Sequence, residues 1–182
     1  MKHHYITPIL AIAITLASCT HTETTTTETD SPRAKQIAII KANEAKLFGT
    51  LAKADEKTIP DATIKSYSDF ATKFPKDTLA PDFLFKAAEV ATSTKQYGQA
   101  LNFYRIITDN YHNFKLLPES YYLQAFLLDN YMNKDAEARP IYEMIIKNYP
   151  TTTYANDAKA AINNLGKSDE DLIKEFKKKN NQ

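Results

Sequence analysis

Two aromatic columns recur along this chain at a fixed spacing. Tyr67, Tyr104 and Tyr142 stand at offsets of 37 and 38 residues, and Phe74, Tyr111 and Tyr149 repeat the same two offsets. Around them the segments 63–70, 100–107 and 138–145 align with these aromatic positions in register. A unit of this length cannot bury its apolar face alone, so successive copies must stack and share one continuous core. The repeat therefore restricts the chain to a stacked array, and the composition of each unit decides what is stacked.

Each unit divides into two helical stretches. Residues 81–94 carry Leu84, Ala87, Ala88 and Ala91, and residues 97–110 carry Leu101, Tyr104, Ile107 and Thr108. Intervals of three and four give one buried stripe per helix. Paired small residues, Ala88 with Ala100 and Ala125 with Ala138, mark where antiparallel helices must approach closely. Proline recurs near the expected starts at Pro32, Pro60, Pro81 and Pro118, where a missing N–H does little harm. Ser31 is the one strong N-cap before these prolines, Asp135 is the expected cap of a later helix, and Pro140 is expected to distort that helix's first turn.

The expected fold is all-α: a helix–turn–helix solenoid of about three repeats plus capping helices, over residues 32–180. A long first helix over 32–54, with Ile37, Ile40, Ala45, Leu47, Phe48 and Leu51, pairs with 60–73 as a degenerate first repeat. Residues 81–110 and 118–148 form the second and third repeats, and 153–165 begin the cap. Gly166 suits a helix C-terminus. Asp169, Glu170 and Asp171 open a last helix at its positive end, with lysines from Lys174 to Lys179 at its negative end.

This pattern resembles the tetratricopeptide repeat, a helix–turn–helix unit with a period of 34. Tyr97, Ala100 and Tyr104 match its small and aromatic columns and Pro150 its terminal proline, whereas its tryptophan-type position and first-helix glycine are missing. The extra residues fall in the linkers at 76–80 and 112–117. Over residues 60–166 the longer linkers resemble two bacterial groups: the tetratricopeptide lipoprotein of outer-membrane barrel assembly, and the tetratricopeptide domain of the periplasmic Tol–Pal coordinator. The resemblance implies architecture more than function, because one such fold hosts many roles.

The N-terminus reads as an address. After a basic start at Lys2, an apolar run over residues 5–17 reaches only about 20 Å as a helix, too short to span a bilayer. It suits the apolar stretch of a signal peptide over residues 1–18. Leu16-Ala17-Ser18-Cys19 resembles the bacterial lipobox, which implies acylation at Cys19 and membrane attachment through acyl chains. Residues 19–31 are threonine-rich and acidic, and are expected to form a disordered tether. Threonine follows Cys19, so the expected address is the outer membrane; the residue does not decide the facing, for which the periplasmic side is favoured over the surface.

Little in the sequence suggests catalysis. Gly49, Gly98 and Gly166 are too far apart for a phosphate cradle, and one cysteine makes neither an intrachain disulfide nor a thiolate metal cluster. A net charge of +1 gives no footprint for nucleic acid. His21 lies in the tether and His112 in a linker, so no base–nucleophile pair is evident. No enzyme activity, cofactor or metal is expected.

In the family that the chain resembles, the first helix of each pair lines a concave face. That places Asp82, Phe85, Glu89, Thr92, Glu119, Tyr122, Phe126 and Asp129 in a partner-binding groove. Acids mixed with aromatic rings suit a peptide carrying basic and apolar side chains. The competing reading is a solvated face whose rings are covered by the first helix. The expected function is a lipid-anchored scaffold for a protein partner in the cell envelope. The alternatives are self-assembly through the last helix, and a carbohydrate-binding accessory lipoprotein, against which the lack of tryptophan counts.

Overall fold

The computed structural model describes residues 30–49 and 58–180. Cys19, the signal segment and most of the tether, with Leu51 and the expected end of the first helix, lie outside the described residues. Among the described residues eight helices follow in chain order: α1 Pro32–Phe48, α2 Thr58–Lys73, α3 Ala80–Ser93, α4 Tyr97–Asn110, α5 Leu117–Asn130, α6 Asp135–Asn148, α7 Thr153–Asn164 and α8 Asp169–Asn180. Each helix from α1 to α6 packs on the next, and α5 also touches α7. The fold is a helical solenoid of stacked pairs.

The repeat is visible in the backbone as well as the side chains. At each linker between pairs, two successive tight turns form: Asp77 N donates to Phe74 O and Ala80 N to Asp77 O, both at 3.0 Å. Phe114 with Tyr111 and Leu117 with Phe114 repeat this, as do Thr152 with Tyr149 and Ala155 with Thr152. The residues beyond the 34-residue period are spent on these turns. Within pairs, Lys95 and Asn133 hold equivalent left-handed positions, at φ 61° and 52°.

Of the two predicted columns the core takes the first, while the second, Phe74, Tyr111 and Tyr149, packs against it half-buried. Tyr67, Tyr104 and Tyr142 are buried, and the companion column of Phe70, Ile107 and Ile145 is sealed from solvent at 0% exposure. Ala88, Ala100, Ala125 and Ala138 are sealed too, so their missing side chains set the helix separation. Any larger side chain there would meet a close-packed neighbour.

Several expectations change in detail. The α1 helix ends at Phe48 with Gly49 extended, and its apolar residues are used less than expected. Ile40 is buried, but Phe48 is 76% exposed. The other buried anchor is polar: Gln36 Nε2 donates to Ser66 O at 3.2 Å and Gln36 Oε1 accepts from Lys73 Nζ at 2.9 Å. Helix α2 starts two residues before Pro60. Ser31 does cap α1, its Oγ accepting from Ala34 N at 3.1 Å. Asp135 is not a cap: Lys134 takes that position and Asp135 is the first helical residue.

Nor does Pro140 distort the first turn of α6. Glu137 N and Ala138 N both donate to Lys134 O, matching Gln99 N and Ala100 N on Gln96 O in proline-free α4. Pro140 sits one turn deeper, exposed, where its ring leaves the Ala136 carbonyl without an intrahelical donor. Pro140→Ala should therefore stabilise the fold by about 1–3 kcal/mol, read as a higher denaturation midpoint at unchanged slope.

Candidate functional site

The odd-numbered helices form one face, and side chains link them across it. Glu44 on α1 accepts from Lys86 Nζ on α3 at 2.8 Å, Glu89 on α3 faces Glu119 on α5, and Tyr154 on α7 donates to Glu119. The column tyrosines come up from the even-numbered helices behind. Tyr67 Oη donates to Glu44 Oε1 at 2.8 Å, Tyr142 Oη reaches Asp129 Oδ2 at 3.4 Å, and Tyr104 bonds with the Thr92 hydroxyl. Each tyrosine thus buries its ring in the core and delivers its hydroxyl to this face.

Of the eight predicted groove residues, seven are at least partly open here and Phe85 is not. Phe85 is only 6% exposed, edge-on to Tyr104 at 5.6 Å and tilted against Phe114 at 6.2 Å. The covering ring comes from the linker before α5 and not from the first helix. One repeat later, Thr152 stands where Phe114 stood and is used to cap α7. Tyr122, the equivalent of Phe85, is consequently left half-open. Asp82 pairs with Lys115 at 3.1 Å, and the Thr92 hydroxyl donates to Ala88 O at 2.8 Å.

Around Tyr122 the rings are close together. Its centroid lies 6.1 Å from Phe126, 5.9 Å from Tyr142 and 5.7 Å from Tyr154. Phe126 meets Tyr131 edge-on at 5.8 Å, and Tyr131 stacks on Tyr97 at 4.3 Å. Beside these rings opens a cleft of about 700 Å³, walled by Tyr122, Phe126, Asp129, Asp135 and Asp157 and closed by the segment 166–168. A second cleft, about 520 Å³, lies at the other end between Glu44, Phe48, Tyr67 and Glu89.

The two ends differ in charge. At the α1 end, burial would raise Glu44, but hydrogen bonds from Lys86 and Tyr67 outweigh it and hold the carboxyl below its ordinary value. Lys86 Nζ also sits 5.8 Å from the Tyr67 ring centroid and 5.7 Å from that of Phe83. Toward α7, among the described residues, no cation is in contact with Glu89, Glu119, Asp129 or Asp157. Glu89 has its carboxyl pushed up by desolvation between the groove walls and then by Glu119 opposite. Asp129 is raised by burial and then by Asp135, against the opposing hydrogen bond from Tyr142. Tyr154 is pushed up to about 12 by burial and its bond to Glu119. This end is an aromatic floor under clustered carboxylates, with Lys167 in the cleft wall and Lys86 acting on Glu89 from a distance.

Sequence reasoning missed Tyr154 and Asp157 on α7, although a signal was present. Asp82, Glu119 and Asp157 form an acidic column at the same offsets of 37 and 38 as the tyrosines. The first two also stand in the first turns of α3 and α5, where a helix favours carboxylates on its own account. Asp157 lies a turn further along its helix.

Among the described residues no group of histidine, cysteine and carboxylates is arranged to hold a metal ion, and no helix is long and apolar enough to cross a membrane. His112 lies exposed on the linker before α5, beside a cavity lined also by Asp77, Thr78, Asp82 and Lys115. Residues 119–152 match the tetratricopeptide repeat family. The match takes in α5 from Glu119, the turn, α6 and the linker through Thr152, which is one full unit of the array. Neither a curated protein nor a solved structure matches the chain. A tetratricopeptide unit is typically a non-enzymatic scaffold for protein interaction, and the stacked helices here are that architecture.

Proposed function

We propose that this chain is a lipid-anchored scaffold of the bacterial cell envelope, held at the outer membrane through Cys19, whose odd-helix face binds a basic and apolar segment of a protein partner. The observation that carries the binding reading is the cleft at the α5–α7 end, where Tyr122, Phe126 and Tyr154 lie among Glu119, Asp129, Asp135 and Asp157, none of them in contact with a cation among the described residues. Lysine or arginine over such rings gains from the carboxylates and the ring faces together. The anchoring reading rests on the lipobox resemblance at residues 16–19 and on the polar stretch that follows. A tether of that kind fixes reach, and confinement to a membrane raises the effective concentration of the scaffold for envelope partners.

Photo-crosslinking in cells tests the site. A photoreactive residue at Tyr122 should give a discrete adduct that is absent from Phe85, which is packed in the core, and from exposed Lys159 as a control. Adducts of equal yield from Tyr122 and Lys159 would remove the case for this face. Anchoring is tested separately. Incorporation of a labelled fatty acid should disappear in Cys19→Ser, and persistence of the label in that variant would overturn the anchor.

A further inference from the structure

We infer that the groove also receives the last helix of a second copy of this chain, so that two copies exchange α8. This rests on the reading of the odd-helix face as a binding surface and names an occupant that is itself part of the chain. Helix α8 has its own start signal, with Ser168 Oγ accepting from Asp171 N at 3.2 Å, and Lys167 pairs with Glu175 at 2.8 Å. Beyond that it packs on no other helix as the first seven do, and every α8 side chain the structure describes is exposed. Ile173 is 52% and Phe176 66% exposed, among the largest apolar exposures in the chain. A twelve-residue helix is marginal in water without a surface to pack on, so α8 needs one.

The chemistry of α8 matches the cleft. Ile173 and Phe176, three residues apart, share one face of the helix, with Lys177 along its edge and Lys174 and Lys178 further round. An apolar stripe bordered by ammonium groups is the complement of aromatic rings bordered by Glu119, Asp129 and Asp157. Entry of α8 into its own cleft is disfavoured by the short connection. That connection is fixed by Gly166 at φ +78°, by the Ser168 cap and by the Lys167–Glu175 pair, which would have to open. A second copy needs none of this to change. Because residues 166–168 form both the root of α8 and a wall of the cleft, mutual exchange of α8 makes a closed two-fold dimer and leaves no open-ended chain of copies.

The test uses the full chain expressed in cells in two differently tagged versions, with a photoreactive residue at Phe176 in one. The expected product carries both tags at twice the chain mass, with the cross-link mapped to peptides around Tyr122 or Tyr154. Lys174→Glu with Lys177→Glu and Lys178→Glu in the probe-bearing copy should lower its yield about tenfold, and Asp129→Lys with Asp157→Lys in the other copy should restore it. The three lysines and Asp157 are exposed, whereas Asp129 is half-buried and accepts from Tyr142, so the melting midpoint of the Asp129→Lys with Asp157→Lys copy is measured first, and Asp157→Lys alone serves as the restoring variant if that copy does not fold. A cross-link within one chain, adducts only to other proteins, or no adduct from Phe176 would each overturn the exchange. A foreign adduct at Tyr122 without a Phe176 self-adduct leaves the scaffold reading standing and removes only the exchange.

Discussion

Phe70→Ala should lower stability by about 3–5 kcal/mol, the largest effect expected from any single core substitution here. Phe70 is sealed from solvent and meets Phe83 edge-on at 4.8 Å and Phe74 at 5.1 Å, so it joins α2, α3 and the linker between them. Truncation removes a ring from a close-packed site and leaves a cavity that helices already in close contact at their alanines cannot collapse to fill. A domain of ordinary stability has about 5–15 kcal/mol in all, so the loss is a large share. It should also be local. In a solenoid each unit is held by its neighbours, and α1 contributes only Ile40 and Gln36 as buried anchors. Amide exchange should therefore lose protection first across α1 to α3, while α5 to α7 keep theirs. Ile145→Ala, in the same column two repeats later, should show the reverse pattern with a loss of about 2–5 kcal/mol. Uniform loss of protection in both variants would mean that the array unfolds as one unit.

The sequence revealed the architecture because the signal behind it was redundant. Aromatic, aliphatic and small-residue columns all repeat at 37 and 38, so any one of them locates the others, and six of the eight helices end within two residues of expectation. Where only one local cue was available, the reading slipped. Apolar residues in α1 suggested a core helix, but at the end of an array there is packing on one side only, and a buried glutamine takes part of the task. Asp135 looked like a cap because aspartate commonly is one. The turn chemistry of left-handed Asn133 sets the helix start instead, one residue earlier. The groove was legible by position and not by cover. Nothing in the spacing of Phe85 and Tyr122 tells them apart, because what separates them is a single linker residue, Phe114 in one repeat and Thr152 in the next. Tyr154 and Asp157 were missed because the repeat was not carried forward into the cap.

The second large effect is on binding. Replacing Glu119 with Gln, Asp129 with Asn and Asp157 with Asn should reduce the Tyr122 adduct in cells about tenfold, while the fold remains at least as stable as before. Tenfold corresponds to about 1.4 kcal/mol, within reach of three carboxylates that each contribute about 0.2–1 kcal/mol to a partly exposed cation. Folding should survive because the amides keep the oxygen that accepts from Tyr142 and Tyr154 and lose only the charge. The sign of the carboxylate shifts points the same way. Asp129 and Glu89 have folded pKa values above their ordinary ones, so each favours the folded state fully only while protonated, and that contribution is lost as pH rises through the folded value. At neutral pH both are charged at a cost to the fold, and a cation from outside relieves it. Adduct yield should accordingly fall as the pH of the cell suspension drops through the raised values of Asp129 and Glu89, and the amide variant, which keeps Glu89, should lose the part of that dependence that Asp129 supplies. A variant that binds as well as the parent at every pH would show that the partner is held by the rings alone.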